Sequence, residues 1–387
     1  MADDGAQWSL ARRLGVTFLG LFLCLNIIPL MLVAIPVVEE PLTTAWMAVW
    51  AALTPVLGRL VGIEGPIDTI PNGSSDMTWN YLQQLCYLVV AAVATIAWVA
   101  RVRRQATYEA MLAWVRIVLR YGLSLMMFSY GLIKVFPLQF EPLGPIHLAR
   151  TYGESTPSGL LWTFMGYSPA YTVFTGLAEV LAAALLLSRR TATLGALLAV
   201  GVLANVAMMN FCYDVPVKIY SSVFLLMALF LAGQDLPRIV DVFVRNRAPT
   251  PAELSQPALG RRLRIARLVA KAGFLVTVAS MAAQNASHYA ERQAQVEGRP
   301  ALYGAWEVER FILDGEERPP RDALRWRQFV VPSFPAALIK RGDGEQTMYG
   351  LAHDPAAGTI TLTAFDDSGT TMVLAAARPA SDELVLT

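Results

Sequence analysis

LAWVRIVLRYGLSLMMFSYGLIKVF, residues 112–136, is the stretch whose reading decides the fold. It is apolar over more than the ~20 residues a helix needs to cross the hydrocarbon core of a bilayer. A helix on a soluble protein would carry a broad polar face. Here the charge is confined to Arg116, Arg120 and Lys134. Spacings of 4 and 14 residues put these three on nearly one face of a helix, as a basic stripe shared with Met127 and Gly131.

Working outward, runs of similar length occur at 13–35, 79–100, 169–187, 191–211, 216–233 and 264–283. Together they predict a membrane all-α fold: a seven-helix transmembrane bundle. Composition agrees, with 55% hydrophobic and 16% charged residues, against roughly 25% charged in soluble domains. The 31 basic and 30 acidic side chains balance overall, so there is no nucleic-acid footprint, but the arginines cluster. Arg12/Arg13, Arg101/Arg103/Arg104, Arg189/Arg190 and the set from Arg238 to Lys271 all fall on one side of a seven-span chain. Glu39, Glu40, Glu64, Asp68, Asp76, Glu141 and Glu154 fall on the other. The positive-inside rule makes the arginine side cytoplasmic. The expected location is a bacterial-type inner (plasma) membrane, with the N-terminus cytoplasmic and the C-terminus periplasmic or extracellular. The run after Arg12/Arg13 is too long for a signal peptide and lacks a small-x-small cleavage site, so it reads as a retained first span. Residues 42–60 contain Pro55 and Arg59 and are flanked by acids, which reads as a helix along the outer interface with Trp46 and Trp50 at headgroup level.

The pattern changes after the seventh run. A polar linker, 284–300, precedes short β-like segments near 303–313, 326–331, 336–341, 345–351, 358–365, 370–377 and 383–387, separated by DG, GDG, DPAAG, DDSG and RPASD turns. These predict an antiparallel β-meander or barrel-like domain. Its last segment ends at Thr387 inside a strand-like run, leaving an edge that reads either as covered by another element or as a domain shortened at this end. The expected organisation is 1–110, a two-span segment with outer loop and interfacial helix; 111–247, a four-helix unit; 248–263, a cytoplasmic linker; 264–283, the seventh helix; 284–300, a linker; and 301–387, the soluble β-rich domain.

Ionisable groups in hydrocarbon are costly and mark candidate sites. Arg120 lies ~12 Å into its helix, cannot shed its proton and needs a partner. Glu179, in the fourth span with Gly176 one turn earlier, is the expected one. A carboxyl poised between neutral and ionised states there suits proton transfer, and a buried ion pair fixing helix register is the competing reading. Arg116 and Lys134 are near opposite boundaries, where both can snorkel to water. A polar set at the outer boundary, Asn205, Asn210, Asp214 and Lys218, joins Tyr130 and Lys134 at the mouth of a candidate pocket, with Asp214 and Lys218 spaced as an i,i+4 pair. Asp76 reads either as part of a helix cap for the second span or as an acid facing that pocket. Neither the three histidines nor the three cysteines, Cys24, Cys86 and Cys212, have metal-ligand or disulfide spacing, so no metal site is expected.

Arg120 with Gly131-Leu-Ile-Lys134, and Gly176-Leu-Ala-Glu179, make residues 112–233 resemble the DoxX-like family of four-helix membrane proteins. The resemblance implies quinone or other lipid-soluble redox chemistry near Arg120, Lys134 and Glu179, with Lys134 and Arg120 orienting a quinone-like carbonyl or stabilising its anion and Glu179 relaying a proton. Gly304-Ala305-Trp306 similarly resembles the start of lipocalin-like domains, which implies an apolar ligand or a docking role for the tail. The expected function is an oxidoreductase-like membrane protein binding a quinone. The alternatives are a non-enzymatic lipid or isoprenoid binding or transfer protein, or a structural subunit of a membrane complex. Expected partners are membrane lipids and partner membrane or extracytoplasmic subunits.

Overall fold

A computed structural model describes residues 8–70, 73–251, 260–365 and 370–387. The apolar runs become helices because nothing within them except Pro29, Pro41 and Pro55 interrupts helical hydrogen bonding. In chain order they are α1 (Leu10–Val33), α2 (Pro36–Leu60), α3 (Thr78–Arg101), α4 (Gln105–Val135), α5 (Pro145–Ala149), α6 (Pro157–Tyr167), α7 (Pro169–Leu187), α8 (Ala192–Cys212), α9 (Lys218–Gly233), α10 (Leu236–Phe243) and α11 (Arg261–Glu297), with a 3-10 turn at Tyr152–Glu154. Among the described residues α1, α3, α4, α7, α8 and α11 are long and apolar enough to cross a membrane. The pair α9 and α10, bent by 74°, adds a seventh if counted as one span. The chain is a multi-pass membrane protein with a β-sheet domain at its C-terminal end.

It divides into two compact units, one made of 1–136 and 173–285 and the other of 137–172 and 286–387. In the first, α1 packs on α2, α3 and α4, and α8 forms an antiparallel hairpin with α9. Leu23, Ile27, Leu119, Leu123, Leu186 and Met227 are fully or almost fully buried at its centre. Gly122 lets α4 approach α1 closely: a Cβ there would run into the Ile27 side chain. One polar link across helices in this core is Gln84 Nε2 donating to Asn26 Oδ1 at 2.8 Å.

One helix is anchored in the core, and another runs further than expected. In α2, Trp50 is 4% exposed and packs edge-on against Tyr87, with ring centroids 5.9 Å apart. Trp50 therefore belongs to the packed helix core. The expected linker 284–300 is helical up to Glu297, because its Ala, Gln, Glu and Arg residues favour helix and no Gly or Pro stops it before Gly298 and Pro300.

The second unit is built on an antiparallel sheet. Its strands are β1 (Gly304–Glu307), β2 (Ile312–Leu313), β3 (Glu316–Glu317), β4 (Trp326–Val331), β5 (Ala336–Arg341), β6 (Gln346–Asp354), β7 (Thr359–Ala364), β8 (Thr371–Ala380) and β9 (Glu383–Leu386). The order β1-β4-β5-β6-β7-β8-β9 is the expected meander, with β2–β3 as a separate small hairpin. Part of the segment expected as one strand, 303–313, therefore turns away from the sheet. The sheet rolls until Arg378 of β8 donates to Ala301 O at 2.9 Å and its guanidinium lies 5.4 Å from the Trp306 ring of β1. Trp306 Nε1 in turn donates to Leu302 O at 2.8 Å. The inner face is filled by the sheet's own side chains, among them Phe329, Val331, Ile339, Ile360 and Leu362.

The segment 137–172, expected inside the four-helix unit, groups instead with the sheet. α5 covers β4 and β5 through Ile146 and Ala149 against Val330 and Leu338. Lys340, 6% exposed, donates to Ala149 O at 2.7 Å and to Glu154 Oε2 at 3.0 Å. The Thr151 N–H and the Lys340 ammonium hold the Glu154 carboxyl below the usual carboxylate range.

Candidate functional site

Helices α4 and α7 run antiparallel with matched positions along their length. Ser124 Oγ donates to Ala183 O at 2.8 Å. One level on, Gly131 and Gly176 meet backbone to backbone. A Cβ on Gly131 would lie 2.9 Å from Gly176 O, and one on Gly176 would lie 2.7 Å from Gly131 O. This contact draws the helices close enough for Lys134 Nζ to reach Glu179 Oε1 at 2.5 Å, with both side chains under 10% exposed. Glu179 Oε2 is buried and has no hydrogen-bond partner among the described residues. The Tyr130 hydroxyl is within electrostatic range of Glu179, and the Tyr130 ring lies 6.5 Å from Phe224, which stacks on Tyr220.

The pairing corrects two expectations. Glu179 is the partner of Lys134 and not of Arg120, and Lys134, which could have snorkelled to water, is buried. The reason is the antiparallel register: Arg120 lies ~21 Å along α4 from Lys134, opposite the C-terminal end of α7. There its Nε donates to Leu186 O at 2.9 Å and its Nη2 to Leu186 O and Leu187 O at 2.7 and 3.0 Å. A cation on the last carbonyls of a helix satisfies orphan acceptors and the negative end of the dipole. Arg120 is therefore a helix cap, remote from the other two members of the expected trio. Arg116, one turn earlier, reaches Asp235 at 3.7 Å.

A second polar cluster forms at the α8–α9 turn. Asp214, at φ +51°, receives Lys218 Nζ at 2.8 Å, the expected i,i+4 pair. Asp76, expected either to help cap the helix that follows it or to face the outer pocket, accepts from the N–H groups of Lys218 (2.9 Å) and Ile219 (3.0 Å) and so caps α9 beside the expected polar set. Ser75 N and Ser74 Oγ both donate to Pro216 O, which ties this loop to the turn. Asn210, buried, accepts the Val215 N–H with its backbone carbonyl, and its Nδ2 has no partner among the described residues. Asn205 is exposed on α8. The structure thus pairs Lys134 with Glu179, with Tyr130 one turn before Lys134 on α4, and groups Asp76, Asp214 and Lys218, and it places Arg120 and Asn205 in neither set. Tyr220 and Phe224, two and six residues beyond Lys218, are the site aromatics that sequence reading missed. Their i,i+4 spacing was the available signal. Among the described residues no three His, Cys, Asp or Glu side chains gather as metal ligands.

No family model matches the sequence, and no solved structure matches it. Over 141 residues, 36% of this chain, it is 36% identical to "Uncharacterized protein YwoB" of Bacillus subtilis (strain 168), covering 86% of that protein. Through this stretch the chain belongs to the family of YwoB, to which it adds further sequence.

Proposed function

We propose that the protein binds a quinone or similar lipid-soluble redox molecule of a bacterial-type inner membrane, with the molecule's polar head at Lys134, Glu179 and Tyr130. The observation that carries this reading is the buried Glu179 Oε2, which lacks a partner beside a buried cation. An unsatisfied carboxylate oxygen in an apolar interior costs free energy unless something donates to it. A hydroquinone hydroxyl is such a donor, and the Lys134 ammonium, with three N–H groups, can also serve the carbonyl of the oxidised form. Reduction of a quinone takes two electrons and two protons. The residues here handle protons, and the electrons come from a partner. The DoxX-like resemblance points the same way, with Arg120 now assigned to capping α7. The filled interior of the sheet favours a docking surface over a carrier cavity for the C-terminal domain. In this reading the seven-span topology keeps the N-terminus cytoplasmic and the β-domain periplasmic or extracellular.

The test is to purify the full chain in mild detergent and identify co-purifying isoprenoid lipids by mass spectrometry and absorbance. Wild type should retain quinone, and Glu179→Gln and the double variant Lys134→Met/Glu179→Leu should lose it while keeping a wild-type elution profile. A wild-type preparation free of quinone that binds none on titration, or quinone retained by the folded double variant, would sink the proposal. Stable co-purification of other subunits without quinone would point to the structural-subunit reading.

A further inference from the structure

Asp235, the residue before α10, accepts from Thr193 Oγ1 at 2.6 Å and lies 3.7 Å from Arg116 and 3.1 Å from Arg238. Thr193 is in the first turn of α8, so α9 runs back along α8 and ends at the level where α8 begins. There the chain turns by 74° into α10. Pro237 enforces the break, since it has no N–H to offer the Gly233 carbonyl and α9 cannot continue through it. α8 is long and apolar enough to cross a bilayer; α9 then recrosses it, and α10 turns towards the membrane plane. Leu236, Ile239, Val240 and Phe243 are spaced i, i+3, i+4 and i+7, which makes one apolar face. Arg238 and Asp241 stand on the other, Asp241 paired with Arg245 at 3.1 Å. On the apolar face Leu236 is 55% exposed and Phe243 74%.

We propose that α10 is an interfacial helix whose apolar face inserts into the headgroup–acyl boundary of the phospholipid leaflet bordering the start of α8, with Leu236 and Phe243 as its anchors. Three observations select lipid over a protein partner. The bare face begins where α9 ends, so it continues the surface on which Leu194 of α8 and Leu229 of α9 are also exposed. At 16 residues α9 is ~24 Å long, short of the ~30 Å hydrocarbon core, which starts α10 within reach of acyl chains. Asp235 and Asp241 each have a cation partner, so neither carboxylate enters the boundary uncompensated. Helices of this kind bury their apolar face ~5–10 Å into that boundary. Insertion offsets the mismatch left by the short α9 and, through Asp235, ties α4 and α8 to the membrane surface. The inference rests neither on the quinone reading nor on which compartment holds this end of the bundle.

The full chain, with Cys24, Cys86 and Cys212 replaced by alanine, is labelled with a nitroxide at Leu236→Cys, Phe243→Cys or Asp241→Cys and reconstituted in nanodiscs of dioleoyl phosphatidylcholine. Electron paramagnetic resonance then reads collision with oxygen, which concentrates in lipid, against collision with a water-soluble nickel chelate. Nitroxides at Leu236 and Phe243 should meet oxygen freely and nickel at least threefold less often than the one at Asp241, at a depth of ~5–10 Å. Leu236 and Phe243 are exposed, so labels there leave the bundle intact, which a wild-type elution profile checks. Equal nickel access at all three positions would place α10 in water. Immobile labels at Leu236 and Phe243 that neither reagent reaches would mean that protein covers the face, a second copy included. A label at Phe243 near the bilayer midplane would make α9 and α10 one broken span. Each of these three outcomes would overturn the proposal.

Discussion

At the residue scale the pair Lys134–Glu179 is where stability and chemistry meet. Taking two charges out of water costs several kcal/mol per ion, which their attraction offsets only while both are present. Lys134→Met should therefore lower stability by about 3 to 5 kcal/mol, the range for stranding one member of a buried pair. The apolar double variant Lys134→Met/Glu179→Leu should recover most of that loss. Thermal unfolding of wild type, Lys134→Met, Glu179→Leu and the double variant in one detergent measures the cycle, and a double variant as unstable as the single ones would show that the pair also organises its neighbours. Gly131 and Gly176 make the pair possible. Gly176→Leu must push aside backbone atoms under 3 Å from its Cβ, so it should separate α4 from α7, a loss that a cysteine cross-link between the two helices would report. The residue types of this site were legible in sequence, since ionisable groups in apolar runs announce themselves. Their pairing was not, because 3.6-residue periodicity fixes the face of α4 without fixing its register against α7. That register rests on which glycines touch.

At the element scale, helix existence was legible from apolar length, while helix ends and attachments were not. The run 264–283 announced α11, but its extension through 284–297 depends on helix-forming polar residues that also suit a linker. The loop 137–172 reads as a connection between spans, and only its tertiary contacts reveal that it belongs with the sheet. Asp76 was ambiguous because local sequence offers α3 as the helix to cap, whereas the fold brings α9 to it. Asp76→Ala should cost about 1 kcal/mol, a typical cap loss. Asp76→Asn, which keeps one of two acceptor oxygens, should cost less, and thermal unfolding separates them. Glu154 carries a pH prediction. Its folded-state carboxyl is depressed, so its stabilising effect on β5 and β6 is complete above the unfolded-state value of ~4.3 and is lost as pH falls through the lower folded-state value. Hydrogen exchange at residues 336–351 should be faster in Glu154→Gln than in wild type at neutral pH, and the difference should shrink under acid conditions. A constant difference down to the acid limit would remove Glu154 from that role.

At the scale of the whole molecule the decisive quantity is the number of crossings, and α2 controls it. At 25 residues α2 is ~37 Å long, sufficient to span a bilayer, and Trp50 packs it into the bundle. Yet it carries Pro41, Pro55 and Arg59 and lies outside the set apolar enough to cross. Two arrangements follow. With α2 on the outer side, seven crossings gather all the arginine-rich segments in the cytoplasm and send residues 301–387 outward. With α2 crossing, every segment after it inverts, and the acidic loops share a compartment with the negative cytoplasmic leaflet, against the direction in which Lys and Arg bias orientation. A chain with Cys24, Cys86 and Cys212 replaced, carrying one new cysteine at a time in intact cells, separates them. Glu40→Cys, Glu64→Cys and Asp382→Cys should all react with a membrane-impermeant maleimide, and Arg103→Cys should react only after permeabilisation. If Glu40→Cys and Glu64→Cys label from opposite sides, α2 crosses and the termini share a compartment.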